Sequence, residues 1–308
     1  MLNIYSGEYA GLKCEWMVNP YTRLAVVAER GLRAIFFSLP GRENIFAELG
    51  DMAIHTELGD YYLLGGHRLW HSPEWAPRTY YPENQEITIT RKESQVTTTT
   101  AADGSGIKKK ITFQMAENKP QVFVRHQLIN EGLWGVELAP WAITQCQLGG
   151  VVLCPQNTDP ENGNIGTPNR SWVFWQFSDI NDKRFLFDNR ITRIKAESGL
   201  PTKLGYRNTH GWIGYLYQGI LFTKHFKPQI DRSHTDLGCN TEVYSCEKFV
   251  ELETLAPLTI LDPGKSVSHD EIWTLWSKDE LKGTEDDFNS LLNQVPTFDQ
   301  LTGNEEFR

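Results

Sequence analysis

The residues best suited to chemistry lie together at Gly65-Gly66-His67-Arg68-Leu69-Trp70-His71-Ser72-Pro73-Glu74, where two imidazoles, a guanidinium, an indole and a carboxylate follow a double glycine. That inventory suits a sugar. An indole offers its face to the C–H surface of a pyranose, a guanidinium gives hydroxyls a rigid fork of donors, and imidazoles move protons near neutral pH. A purely structural origin gives the same residues, because Gly-Gly is a common turn and Trp, Leu and hydrogen-bonded His are common core groups.

Further along, Phe249-Val250-Glu251-Leu252-Glu253-Thr254 alternates, so Val250 and Leu252 take one face and Phe249, Glu251 and Glu253 the other. Two carboxylates then share a face, as they would on a solvent-exposed strand. Asn240-Thr241-Glu242-Val243-Tyr244 places Glu242 and Tyr244 on one face, about one hairpin away from Glu253. Close carboxylates raise one another's pKa, which is one way to make a general base. Asn208-Thr209-His210-Gly211-Trp212 again sets an imidazole beside glycine and indole, and Pro140-Trp141-Ala142-Ile143-Thr144-Gln145 adds a Trp with polar company. Core packing at strand ends would produce both. His126 and His269, in strand alternation, read as structural. The chain has no P-loop, dinucleotide fingerprint, nucleophile elbow or His-x-x-x-His pair, so phosphotransfer, redox and zinc hydrolysis lack support, and no cofactor or metal is expected.

The elements that must position these groups have a period of two. Gln95 to Thr100 and Ile107 to Phe113 flank Asp103-Gly104-Ser105-Gly106, a strand, glycine turn and strand. Similar runs recur at 24–28, 87–90, 121–130, 171–177, 212–217, 219–226, 242–245, 249–254 and 266–276, which predicts a large all-β antiparallel sandwich. Near the end, Thr284 caps a short helix whose Phe288, Leu291, Leu292 and Val295 share a face before Pro296. The Asn-, Gly- and Pro-rich stretch 155–170 reads as a surface excursion or a lid. Nothing marks a domain boundary in the 308 residues, so one domain is expected, with a core from about 5 to 277 and a helical tail over 278–308.

A net charge of −9 opposes binding to a phosphate backbone, and the one basic run, Lys108-Lys109-Lys110, reads as a solvated hairpin face. The N-terminus lacks a leader's basic and apolar regions, and no window approaches the ~18 apolar residues of a membrane span. A cytoplasmic protein that takes a small molecule, without nucleic acid or membrane, is the expectation. The five cysteines show no zinc register and read as free buried thiols, with a Cys239–Cys246 pairing left open.

The order Gly65-Gly66-His67-Arg68-Leu69-Trp70, Ala139-Pro140-Trp141-Ala142-Ile143-Thr144, His210-Gly211-Trp212, Glu242-Val243-Tyr244, Leu252-Glu253-Thr254-Leu255-Ala256-Pro257 and Leu261-Asp262-Pro263-Gly264 resembles galactose mutarotase-like proteins, in particular a bacterial branch, over about residues 5–277. The resemblance implies an antiparallel supersandwich whose concave sheet face binds a carbohydrate. It further implies aldose 1-epimerase chemistry, in which a late-strand glutamate removes the anomeric proton, a histidine protonates the ring oxygen, and the ring opens and recloses. The glutamate falls on Glu253, the hydroxyl-holding arginine on Arg68, and an early histidine on His71 or His67. Trp141 stands where the family's acid histidine is found, so the acid falls to His71, His67 or His210, or else the protein binds a sugar without epimerising it. The resulting candidate set has Glu253, His71 and His210 as catalytic groups, and His67, Arg68, Trp70, Glu74, Trp141, Trp212, Glu242 and Tyr244 around the substrate.

Overall fold

Alternating strands dominate the computed structural model, which describes residues 1–159, 166–281 and 284–303. They form two antiparallel sheets, of twelve and ten strands. The facing sides bury one cluster that takes Met17, Leu24, Phe37 and Leu69 from the larger sheet and Phe113, Val124, Phe222 and Trp273 from the smaller. Sandwich packing of this kind removes one face of each sheet from water, and apolar burial at roughly 25 cal/mol per Å² is the main drive.

The middle of the larger sheet runs in the spatial order Ala34–Ser38, Gly59–Ser72, Val136–Cys146, Val250–Leu255, Thr241–Ser245 and Thr202–Tyr206. Its register builds two rungs across the sheet. One is Arg68, Ile143, Glu253, Glu242 and Gly205; the next is Gln145, Glu251, Tyr244 and Lys203. Successive side chains alternate between faces, so members of both rungs, two residues apart along each strand, point together away from the core.

Glycines 65 and 66 are not a turn between elements. They lie within one strand, at φ +88° and +66°, where it passes from pairing with Glu48–Thr56 to pairing with Val136–Cys146. A Cβ on Gly65 would sit 1.8 Å from the Ala47 carbonyl oxygen, and one on Gly66 2.0 Å from that of Ala34. Two neighbouring backbones therefore close onto this point, which only glycine permits.

The hairpin around 103–106 forms as expected, but its basic run does not face water throughout. Lys108 and Lys110 are partly exposed, while Lys109, on the inward parity, is buried and pairs with Glu83 at 2.5 Å, a carboxylate that also takes Arg33 at 2.8 Å. Alternation overrides charge here. Within 171–177 only Val173–Phe174 pairs as a strand. The chain then leaves the sheet, held by Ser178 Oγ, which donates to the Lys203 carbonyl and accepts from its amide, both at 2.7 Å. Most of the 155–170 excursion has no regular structure, and its residues 160–165 lie outside those described. The helix Glu285–Gln294 starts at a Thr284 capping box and seats Phe288 and Leu291 on Leu153, Trp212 and Leu221. A second helix, Phe298–Thr302, follows. All five cysteines are free and buried.

Gly66→Ala should destabilise the fold by ~3 kcal/mol or more, from clash plus backbone strain. Gly264→Ala, also at positive φ but with nothing within 4 Å of a Cβ, should cost only ~1–2 kcal/mol. Urea unfolding of both variants checks this, and equal losses would refute the close approach.

Candidate functional site

Arg68 of the first outward rung and the whole of the second line a cavity of about 520 Å³. Arg68, Trp70, Trp141, Gln145, Lys203 and Glu251 line its depth, and Met52, Glu74, Tyr80, Trp175, Phe177 and Tyr244 line its sides and mouth. Arg68 Nη2 and Gln145 Nε2 both donate to Glu251 Oε1, each at 2.9 Å. The guanidinium lies 4.2 Å over the Trp70 ring, whose Nε1 is fixed by donation to Tyr61 Oη at 2.6 Å. Trp70 and Trp141 meet edge to face at 5.4 Å. Burial pushes the Glu251 carboxyl up to about 7, against the pull of Arg68 and with the nearby Glu253 charge adding to the rise.

Behind this wall, Glu242 and Glu253 are cross-strand partners and both are fully buried. Lys203 Nζ lies 2.7 Å from Glu242 Oε2 and 2.9 Å from Glu253 Oε2, and Trp141 Nε1 donates to the same Glu253 oxygen at 2.7 Å. One ammonium does not balance two buried carboxylates, so one must keep a proton. Burial and the Glu253 charge hold Glu242 well above the usual carboxylate range despite Lys203. For Glu253, burial is outweighed by Lys203 and by hydrogen bonds from Lys203, Glu242 and Trp141, which hold it low. The same ammonium lies 4.6 Å from the ring centres of Trp141 and Trp175.

Arg68, Trp70, Glu74, Trp141 and Tyr244 thus reach the cavity, with Glu242 and Glu253 sealed beneath it. The histidines do not reach it. His67 and His71 share a strand with Arg68 but have the opposite parity, so the pleat turns them into the core. His67 Nε2 meets His126 Nε2 at 2.7 Å and its Nδ1 meets Thr144 Oγ1 at 2.9 Å. His71 is fully buried, and neither of its ring nitrogens has a hydrogen-bond partner among the described residues. Trp212 belongs to the smaller sheet, where it packs under Phe288, and His210 lies in the bend that precedes this strand, its Nε2 3.0 Å from the Gln156 carbonyl. His67, His71, His210 and Trp212 therefore do not share the cavity with Arg68 and Trp70, contrary to the expectation that they gather around one cleft. None of the chain's eight histidines lines the cavity.

Sequence reasoning left out Gln145, Glu251, Lys203 and Trp175 as site residues. Parity was enough for two of them, since Gln145 follows Trp141 by four positions and Glu251 precedes Glu253 by two. Lys203 and Trp175 carried no signal, because the Thr202–Tyr206 strand and the departure of the chain after Phe174 are decided by tertiary packing.

One group of metal-ligand type occurs among the described residues, His67, His126 and Glu271, with donor atoms within 4.8 Å of one another. It does not fit a metal. His126 Nδ1 meets the His269 carbonyl at 2.9 Å and must donate there, which leaves its Nε2 to accept from His67. Glu271 is already held by Lys224 Nζ at 3.1 Å and Trp273 Nε1 at 2.7 Å. The two imidazole nitrogens that would face a metal are committed to each other.

No protein-family description and no curated protein matches the chain. Solved structures do match in shape. A galactose mutarotase-like protein from Lactobacillus casei ATCC 334 superposes with a TM-score of 0.54 at 11% identity, over 89% of this chain and 100% of that one. A candidate aldose 1-epimerase from Escherichia coli K12 gives 0.53 at 10% identity, over 90% and 100%. A candidate mutarotase from Salmonella typhimurium gives 0.55 at 10%, over 89% and 94%. The chain has the galactose mutarotase-like fold, an all-β antiparallel sandwich, as the sequence resemblance implied.

His71 offers a direct check on parity. Burial, with Lys109 and Arg78 nearby, lowers its pKa to about 3. A depressed imidazole contributes no penalty above the unfolded-state value near 6.5 and destabilises increasingly below it, because the unfolded chain binds the proton first. The stability of His71→Leu relative to the parent should therefore grow between pH 7 and pH 5, by about 2 kcal/mol at pH 5. Urea titrations at each pH measure it; a constant difference would show a freely titrating imidazole.

Proposed function

We propose that this protein binds a small carbohydrate in the 520 Å³ cavity and interconverts the anomers of an aldose by general acid/base catalysis. The observation that carries this reading is Glu251, a carboxyl on the wall of an aromatic cavity whose pKa of about 7 suits proton transfer at neutral pH. Trp70, Trp141 and Trp175 supply faces for sugar C–H surfaces, and Arg68, Gln145 and Lys203 line the depth as polar partners for hydroxyls. The fold neighbours, described as mutarotase-like and aldose 1-epimerase proteins, support an aldose as substrate.

In this reading ionised Glu251 takes the proton of the anomeric hydroxyl, while water entering at the cavity mouth supplies the proton for the ring oxygen and recovers it on closure. The ring opens, the C1–C2 bond rotates, and closure from the other face returns both protons. Glu253 serves as a positioning residue that anchors Lys203 and Trp141, and Arg68 holds hydroxyls in ground and transition states alike. The chain works as one domain, and its five free thiols suit the reducing cytoplasm.

A second reading, a carbohydrate-binding or sensor protein without catalysis, is favoured by the placement of every histidine outside the cavity. Polarimetry or saturation-transfer NMR on freshly dissolved aldoses separates the two. Catalysis predicts a rate above buffer that rises with pH through a midpoint near 7, as Glu251 ionises. Glu251→Gln should then cost ~10²–10⁴-fold in rate with little change in sugar affinity, and Arg68→Met should weaken binding. Binding without acceleration establishes the sensor reading, and no binding by any aldose refutes both.

A further inference from the structure

The cavity is divided by polarity along its depth. Its polar groups are at the bottom, where Arg68 and Gln145 converge on Glu251 beside Lys203. Charged and amide side chains walled in by indoles suit a ligand with hydroxyls at its inner end. The mouth is different. Met52 and Phe177 border it at 41% and 48% exposure, with Ile54 and Pro201 beside them. The acid there, Glu74, is tied to Tyr80. Exposed apolar side chains around a polar floor are normally covered by something apolar.

Resting on the carbohydrate reading above, the geometry points to a more specific substrate class: an aldose that carries an apolar substituent, an acyl or alkyl group, on the side of the ring remote from C1. The sugar ring occupies the polar floor, with its anomeric hydroxyl at Glu251, and the substituent lies along Met52, Ile54 and Phe177. An unsubstituted hexose satisfies the floor and leaves the rim wet. The volume agrees, since a cavity of about 520 Å³ falls in the range that encloses ligands larger than a monosaccharide.

Calorimetric titration of the full chain tests this with D-glucose, D-galactose and D-mannose, each beside its 6-O-octanoyl ester below the micelle concentration, and octanoate alone as control. For whichever hexose binds, the ester should bind at least ten-fold tighter, the effect of burying about two methylene groups. Phe177→Asp and Met52→Asp, at exposed positions, should each shrink the advantage of the ester over its parent sugar, both measured on the same variant. An ester no tighter than its parent, or a gain that survives both substitutions, overturns the substituent while the carbohydrate reading stands. If no hexose and no ester binds, or octanoate matches the ester, the carbohydrate reading itself fails and the inference with it.

Discussion

The pleat of the central strands is the constraint from which the rest of this molecule follows. A side chain on Gly59–Ser72 has two destinations, and adjacent residues cannot share one. Arg68 and Trp70 face the outer cavity, while His67, Leu69 and His71 face the core. Residue chemistry alone gives no hint of the split, since an imidazole and a guanidinium suit a sugar equally well. The strand pairs along its length with a neighbour that obeys the same rule, so the parity set at Arg68 passes through Ile143 to Glu253 and Glu242 without loss of phase. The close approach at glycines 65 and 66 is where that phase is locked, because two other backbones abut the strand there.

Burying so many charges obliges the fold to pair them. Glu83 holds Arg33 and Lys109, Glu271 holds Lys224, Glu251 holds Arg68, and Lys203 serves both Glu242 and Glu253. Such pairs contribute little net stability, since desolvation offsets their attraction, yet removal of one partner is costly. Their consequence is geometric. Each pair fixes the side chains around it, and the unequal pair at Lys203 leaves one carboxyl protonated below the cavity. The raised carboxyl at Glu251 has the same origin, a buried acid whose single guanidinium partner only partly compensates for the loss of water.

The core network of His67, His126, His269, Thr254 and Glu271 shows how a cluster with the donors of a metal centre is instead a closed chain of hydrogen bonds. Its donors and acceptors alternate so that each imidazole is satisfied in its neutral form. Burial reinforces that form by lowering all three imidazole pKa values.

Much of this was legible from the chain itself. The period of two determined an all-β sandwich, the glycine turn at 103–106 determined its hairpin, the Thr284 cap determined the helix after it, and the alternation at 249–254 put Glu251 and Glu253 on one face. These are local properties, set by steric preference and by the side on which apolar residues recur. Tertiary structure alone decided which face of each strand meets the other sheet. It turned His71 and Lys109 inward, took Trp212 to the second sheet, and brought to the site Lys203, from a strand that left no periodic trace, and Trp175, from the point where the chain leaves the sheet. A one-residue change of parity moves a side chain across the full thickness of a sheet. The sequence of a strand displays both of its faces at once, and only the packing partner shows which one is inside.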